Sequence, residues 1–339
     1  MTKRNQTLDA LKGFTIILVM LGHCIVLNGM QDGIIYDAIK AIQMPLFMMI
    51  SGYITGMTGE VDSFMKFIGK LQKRTVSYLV PFFSWIVILH VRHLPGEFVN
   101  TLFQLDRGLW FLMTLFLLTA VMYLAILVRE CTVLHNAGFL LIWVLAFTGL
   151  LIQIRFGNAF LSPHLTIFYM PFYLCGYLIC RIYGILIEKA DNNKIASDIL
   201  RLKYQMILGI FVLTLFIWLI FKYDMIVANN KWELLCQVAA SVLGCYLCYL
   251  LIIMIPINKV KSALAFVGKY TLEIYVLHYH FATILGIQDM KLQLYSLEGA
   301  GYILLTFLIM CPLTAASIWL CKRFMIVDLL LFGKMKVII

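Results

Sequence analysis

Two histidines lie deep within apolar segments of this 339-residue chain, where an imidazole could act as a general base. His23 is about ten residues into its segment, roughly 15 Å from the start at the rise of an α-helix. His278 follows Lys269 by nine residues, which predicts a similar depth. A buried histidine can also simply bond the backbone or a hydroxyl of a neighbouring helix. Two imidazoles at matched depth favour a shared polar cavity, because ionisable side chains inside a membrane are costly and typically functional.

A cation and a carboxylate accompany His23 along one helix face. Lys12 precedes His23 by eleven residues, which is three helical turns plus about 20°, and Asp9 is within about 40° of that face. Lys70, Lys73 and Arg74 form a second basic cluster, next to another apolar segment. Such clusters usually only fix topology. A phosphate-bearing ligand from the cytoplasm would nevertheless find its counter-charges at this cluster and at Lys12.

Two further segments offer weaker candidates. MPLFMMISGY covers residues 44–53, and in it Ser51 is either a nucleophile or, with Gly52, part of a close helix contact; the packing interpretation is favoured. RGLWFL covers residues 107–112, and its Trp110 either contacts a substrate or belongs to an interfacial aromatic belt. No zinc-ligand spacing, Ser-His-Asp order or phosphate-binding glycine loop is present in the sequence, so no metal site is predicted.

The segments that must position these residues are apolar along the whole chain. Hydrophobic residues make up 63% of the chain and charged residues 13%, against about half and about a quarter in soluble domains. Ten segments approach the roughly 20 residues that cross a bilayer. They lie near 14–30, 39–57, 75–92, 109–128, 137–154, 165–187, 205–223, 234–255, 267–288 and 299–320. The sequence therefore predicts an all-α polytopic membrane protein, with about ten transmembrane helices in one domain, residues 1–339, and no soluble domain.

The distribution of Lys and Arg predicts the orientation of these helices. With ten helices and a cytoplasmic N-terminus, 20 of the 27 Lys and Arg residues are cytoplasmic and seven are outside, as the positive-inside rule requires. Both termini are therefore predicted to be cytoplasmic. Segments 60–74 and 188–203 are then cytoplasmic, whereas 158–164 and 224–233 are outside. The net charge of +10 is assigned to this asymmetry, and no nucleic-acid partner is predicted.

Six segments, in this order, resemble acyltransferase family 3, the bacterial integral-membrane acyltransferases that include O-acetyltransferases of surface polysaccharides. LDALKGFTIILVMLGH, residues 8–23, is similar to the family's LDxLRG segment with its following His, and MPLFMMISGY is similar to its FxxSG segment. The others are the cluster from Arg74 to Pro81, GLWFL at 108–112, PFYLCGYLI at 171–179 and GKYTLEIYVLH at 268–278. One departure is Lys12, where the family usually has Arg. Lysine keeps the charge but loses the bidentate fork.

The resemblance implies acyl transfer from cytoplasmic acyl-CoA, most often acetyl-CoA, to a sugar hydroxyl of a surface polysaccharide or lipid-linked glycan, in the bacterial inner membrane. His23 is then the base or a transient acyl acceptor. The site residues by implied role are catalytic His23 and His278, donor-binding Lys12, Arg74, Lys73 and Asp9, and substrate-binding Trp110 and Ser51. Acyl-CoA, the glycan acceptor and the lipid bilayer are the expected partners, without a metal, and assembly into a homo-oligomer stays open.

A function of a different class stays open beside this one. A ten-helix transporter or lipid-linked glycan flippase could use the polar stripe of the first helix as a proton or substrate pathway. Transporters often contain two repeats with broken helices, and no repeat is visible in the sequence. A receptor or structural membrane protein explains the buried histidines poorly.

Overall fold

The computed structural model is helical, without a strand, over the residues that it describes: 5–58, 60–91, 94–105, 109–189, 194–256, 259–290 and 292–334. The α-helices are α1 (Gln6–Leu27), α2 (Ile34–Thr58), α3 (Phe64–Arg74), α4 (Val80–Leu89), α5 (Leu94–Phe103), α6 (Trp110–Cys131), α7 (His135–Arg155), α8 (Pro163–Lys189), α9 (Lys194–Lys222), α10 (Lys231–Met254), α11 (Lys259–Val267), α12 (Thr271–Leu277), α13 (Leu297–Cys321) and α14 (Met325–Phe332). A π-helix, Thr75–Leu79, joins α3 to α4, and 3-10 helices cover His278–Phe281 and Gln288–Met290.

Seven helices among the described residues are long and apolar enough to cross a membrane: α1, α2, α6, α7, α8 over Pro163–Ile182, α10 and α13. The second half of α9, Ile207–Lys222, is apolar but shorter. Leu141, Val144 and Leu145 of α7 are about half exposed, as expected of a helix that faces lipid. The prediction of an all-α membrane protein is confirmed. The count of ten helices and the cytoplasmic position of both termini stay predictions.

Two of the ten predicted segments are not single long α-helices. Segment 75–92 consists of the π-helix Thr75–Leu79 and the short α4, and its last residue, Arg92, is outside the described residues. Pro81 follows the π-helix closely, and its missing N–H removes one helical hydrogen bond, which a locally widened helix accommodates. Segment 267–288 contains α12 and then a 3-10 turn. Hydropathy could not distinguish these arrangements, because a short helix with a buried turn is as apolar as a spanning helix.

The first of two compact units comprises Met1–Ile50 and Ile182–Ile318. In it α1 packs against α11 through facing glycines. A Cβ atom on Gly13 would lie 1.9 Å from the carbonyl oxygen of Leu264, and one on Gly268 would lie 1.9 Å from that of Asp9. No side chain fits at either position, so the two backbones can approach this closely only with glycine. This contact fixes the N-terminal half of α1 against the segment that leads into α12.

The second unit comprises Ser51–Arg181 and Trp319–Ile339. Within it the last part of α2 packs closely against α8. A Cβ atom on Gly52 would lie 1.9 Å from the carbonyl oxygen of Tyr173, and one on Gly56 would lie 2.8 Å from the Cβ of Cys180. Glycines four residues apart leave a groove on one helix face into which a second helix fits. The Ser51-Gly52 pair therefore lies at a close helix contact.

Candidate active site

His23 and His278 are in direct contact within the first unit. His23 lies in α1, and His278 is the first residue of the 3-10 turn that follows α12. His23 Nδ1 and His278 Nε2 are 2.7 Å apart. The ring centroids are 4.9 Å apart and the ring planes differ by 19°. With the nitrogens this close and the centroids this far apart, the rings meet edge to edge in nearly one plane, which aligns an N–H with an in-plane lone pair.

A main-chain carbonyl holds the inner imidazole of this pair. His278 Nδ1 lies 2.7 Å from the carbonyl oxygen of Ile274, one helical turn earlier in α12. A carbonyl oxygen only accepts, so His278 Nδ1–H is the donor. His278 is completely buried, whereas His23 keeps part of its surface accessible. The part of the chain that the structure describes contains no group of three or more His, Cys, Asp or Glu residues that could hold a metal ion.

Asn28 fastens the end of α1 to the turn that carries His278. Its side-chain N–H groups donate to the carbonyl oxygens of Cys24 at 2.7 Å and of Ala282 at 2.9 Å. The ring of Tyr279, in the same turn, lies edge-on to His23 at 5.4 Å between centroids. Sequence reasoning missed Asn28. The sequence signal that could have identified it is a lone amide side chain at the end of an apolar segment, where a polar group needs a hydrogen-bond partner.

Lys40 of α2 brings a positive charge to the same place. It is half-buried and close enough to His23 for the two side chains to interact electrostatically. The charge distribution predicts Lys40 to be one of the seven outer Lys and Arg residues and assigns it no other role. Its electrostatic interaction with His23 makes it a candidate site residue that charge counting alone could not identify.

Lys12 and Asp9, also in the first unit, form an ion pair one helical turn apart. Lys12 Nζ lies 3.4 Å from Asp9 Oδ1, and the Asp9 carboxylate is buried whereas Lys12 is partly accessible. Both belong to α1, as does His23. Asp9 therefore supplies a counter-charge that orients Lys12.

Arg74, in the second unit, is held by tyrosine hydroxyls. Its Nε donates to Tyr123 at 3.2 Å and its Nη1 to Tyr78 at 3.1 Å, and the guanidinium lies over the Tyr78 ring, 5.7 Å from its centroid. No ion pair joins Arg74 to a carboxylate of the described residues. The hydroxyls orient the guanidinium without neutralising it, an arrangement suited to an anionic ligand. Neither tyrosine was identified from the sequence, because tyrosines are common in membrane helices and these two have no distinguishing pattern.

Lys70 adds a second positive charge to this region. Its Nζ donates to the carbonyl oxygen of Thr58 at 3.1 Å and lies 5.8 Å from the centroid of the Tyr123 ring. Partial burial, followed by the nearby cations Lys66 and Arg74, lowers the pKa of the Lys70 ammonium group. A bound anion would counteract the repulsion between these cations. Lys73, the neighbour of Arg74, is exposed, and its carbonyl oxygen accepts a hydrogen bond from Ser77 at 2.9 Å.

The two remaining candidates also lie in the second unit. Trp110 is the first residue of α6 and stacks on Tyr169 of α8, with centroids 5.2 Å apart and planes 23° apart. Arg107 and Gly108 of the same motif are outside the described residues. The carbonyl oxygen of Ser51 accepts from the hydroxyl of Thr55 at 3.0 Å. Thr55 in turn bonds Tyr173, so Ser51 belongs to a well-packed helix contact, and its role as a nucleophile stays untested.

Comparison with known proteins matches nearly the whole chain to one family. A family model described as an acyltransferase domain matches residues 5–322. The nodulation protein NolL of Sinorhizobium fredii (strain NBRC 101917 / NGR234) is 36% identical over 101 residues, which are 28% of this chain and 27% of NolL. NolL of Mesorhizobium japonicum (strain LMG 29417 / CECT 9101 / MAFF 303099) is 26% identical over 196 residues, 53% of this chain and 49% of NolL. The matches thus span no more than about half of these relatives, and no solved structure matches the chain.

Proposed function

The chain belongs to the acyltransferase family whose domain matches it, and on that premise we propose that it moves an acyl group from cytoplasmic acyl-CoA, most simply acetyl-CoA, to a sugar hydroxyl of a surface polysaccharide or lipid-linked glycan. The protein is a transferase with several membrane-spanning helices. We further propose the bacterial inner membrane as its location, with ten helices, both termini in the cytoplasm, and residues 1–339 acting as one domain.

The hydrogen bond between His23 and His278 carries this proposal. A sugar hydroxyl attacks a thioester slowly unless a base removes its proton, and an imidazole suits that task near neutral pH. His23 is partly accessible and is oriented by a fully buried partner. A histidine that only packed would need no ordered second imidazole at 2.7 Å.

In the proposed reaction His23 takes the proton of the acceptor hydroxyl as its oxygen attacks the thioester carbonyl carbon. The tetrahedral intermediate then collapses, the carbon–sulfur bond breaks, and the CoA thiolate leaves with the proton from His23. Lys40 is a candidate to stabilise the negative carbonyl oxygen of the intermediate. In an alternative two-step route His23 itself attacks the thioester, the carbon–sulfur bond breaks and CoA leaves as the thiolate. The sugar oxygen then displaces the imidazole from the acyl group, and the proton of the hydroxyl goes to the thiolate.

Three cations are the proposed contacts of the donor. Arg74 would bind a phosphate group of CoA, supported by its tyrosine partners and its lack of a carboxylate among the described residues. Lys12 and Lys73 are further proposed phosphate contacts. Asp9 acts by orienting Lys12 through their ion pair. Each contact follows the general preference of guanidinium and ammonium groups for phosphate oxygens.

The proposed acceptor contact is Trp110. Its ring is already stacked against Tyr169, and a rigid aromatic surface can pack against the apolar face of a sugar. Ser51 is the weaker candidate, because its surroundings are explained by helix packing.

Mass spectrometry of surface glycans tests this function. Cells that lack the protein should lose one acyl substituent per modified sugar while the glycan itself remains, and the wild-type gene should restore it. A transporter or flippase would instead change the amount of glycan at the surface without changing the mass of its repeating unit. An unchanged glycan mass would therefore refute acyl transfer to a surface glycan.

A further inference from the structure

The hydrogen bonds of the histidine pair determine which nitrogen of His23 is free to react. The Ile274 carbonyl oxygen requires a proton on His278 Nδ1. A neutral imidazole has one N–H, so His278 Nε2 then carries a lone pair and accepts. At 2.7 Å from that lone pair, His23 Nδ1 must supply the proton between the two rings. The remaining nitrogen of His23, Nε2, is left with the lone pair.

This assignment depends on both rings being neutral before the reaction, and the surroundings favour that state. His278 is completely buried, and a buried charge without a partner is costly. The half-buried ammonium group of Lys40 already places one positive charge near His23, and like charges repel strongly where water is excluded. The nearly coplanar rings are in the geometry that this hydrogen bond requires.

We propose that His278 is a positioning residue that holds His23 in the tautomer with a proton on Nδ1, so that His23 Nε2 takes the proton of the acceptor hydroxyl. This inference rests on the proposed acyl transfer. Histidine in water prefers the opposite tautomer, with the proton on Nε2. In that tautomer Nε2 has no lone pair and cannot act as a base. His278 thus takes the place that the carboxylate has in a Ser-His-Asp triad, and it adds no buried negative charge.

The same hydrogen bonds also stabilise His23 after it has taken the proton. When Nε2 takes the proton, His23 becomes an imidazolium ion, and its Nδ1–H bond to His278 becomes charge-assisted and stronger. The bond from His278 Nδ1 to Ile274 is polarised in the same direction. No proton leaves His23 Nδ1, so the proton on Nε2 remains available for the departing CoA thiolate. In the two-step route, the same tautomer makes Nε2 the nitrogen that accepts the acyl group.

Nitrogen NMR tests the tautomer without reference to activity. The full chain, labelled with ¹⁵N-histidine and reconstituted in lipid bilayers above neutral pH, should contain a histidine with a protonated Nδ1 and an unprotonated Nε2 whose signals vanish in His23→Gln. The signals of a second histidine with a protonated Nδ1 should be absent from the spectrum of His278→Gln. A His23 that carries its proton on Nε2, or on both nitrogens, would overturn the proposal even in a fully active enzyme.

Two substitutions of His278 test its role in turnover. The amide of His278→Gln can accept from His23 and donate to Ile274, so its kcat should stay within about tenfold of wild type. His278→Leu makes neither bond, and since a wrong tautomer costs about 10⁴-fold in triad enzymes, its kcat should fall at least 100-fold with an unchanged KM for acyl-CoA. Equal activities of the two variants, high or low, would contradict the proposal. A wild type without CoA release would refute the proposed function instead, and the NMR assignment would still decide the tautomer.

Discussion

Gly52 lies against Tyr173 so closely that a Cβ atom on the glycine would come within 1.9 Å of the tyrosine's carbonyl oxygen. Thr55, three residues after Gly52, donates to or accepts from the Tyr173 hydroxyl at 2.8 Å, and that hydroxyl also contacts Thr119 at 3.0 Å. The close approach at Gly52 therefore allows a network of hydroxyl groups to join α2, α6 and α8. This packing explains the small residues of the MPLFMMISGY segment.

Replacing Gly52 with Ala should destabilise the protein. The added methyl group has no room, and overpacking typically costs about 1 to 3 kcal/mol. Gly149→Ala is the matched control, because Gly149 lies within α7 and a Cβ atom there meets nothing within 4 Å. That control should be neutral or stabilising, since Gly within a helix costs about 0.5 to 1 kcal/mol relative to Ala. Thermal unfolding in detergent should separate the two variants, and equal unfolding temperatures would argue against the close contact.

Arg74→Gln should weaken binding of acyl-CoA. A hydrogen bond to a charged group contributes about 1.5 to 3 kcal/mol, so the KM for acyl-CoA should rise at least about tenfold while kcat changes little. Added salt should raise the wild-type KM more than that of the variant. Arg155→Gln, at the exposed end of α7, is the control and should behave like wild type. A KM unaffected by Arg74→Gln in a stable protein would exclude Arg74 from the donor site.

Lys12→Arg should retain activity, whereas Lys12→Gln should raise the KM for acyl-CoA. Arginine preserves the ion pair with Asp9 and restores the residue that is usual in the family, with two donors for a phosphate. Asp9→Asn should cause a smaller increase, because it removes the orienting carboxylate but leaves the lysine charge. Steady-state kinetics with varied acyl-CoA measure all three. Equal kinetics of Lys12→Gln and wild type would show that Lys12 does not bind acyl-CoA and contributes only to the orientation of α1 in the membrane.

Cys131 should react only with membrane-permeant thiol reagents in intact cells. It is exposed at the end of α6, in a segment that charge asymmetry predicts to be cytoplasmic. Cys131→Ser controls for the other thiols, and Asn158→Cys should gain labelling by an impermeant reagent. Impermeant labelling of Cys131 would reverse the predicted orientation of α6.

The two histidines show how much of the candidate site could be predicted from the sequence. Depth along an apolar segment depends only on residue spacing, so His23 and His278 could be placed at similar depths in advance. The short α12 and the turn at His278 could not be predicted, because this turn is held by tertiary hydrogen bonds such as that from Asn28 to Ala282, which leave no local pattern in the sequence. Sequence alone also gave no reason to choose Tyr78 and Tyr123 as the partners of Arg74. Such pairings depend on which helices pack together.

CoA release by purified protein measures whether His23 performs acyl transfer. The assay compares wild type, His23→Ala and His280→Ala with acyl-CoA and an acceptor glycan, at matched thermal stability. His280 is an exposed histidine in the same turn as His278 and serves as the control. General-base catalysis typically contributes about 10² to 10⁴-fold, so His23→Ala should release CoA at least about 100-fold more slowly, while His280→Ala should stay near wild type. A His23→Ala protein that turns over at nearly the wild-type rate would show that His23 is not the catalytic residue.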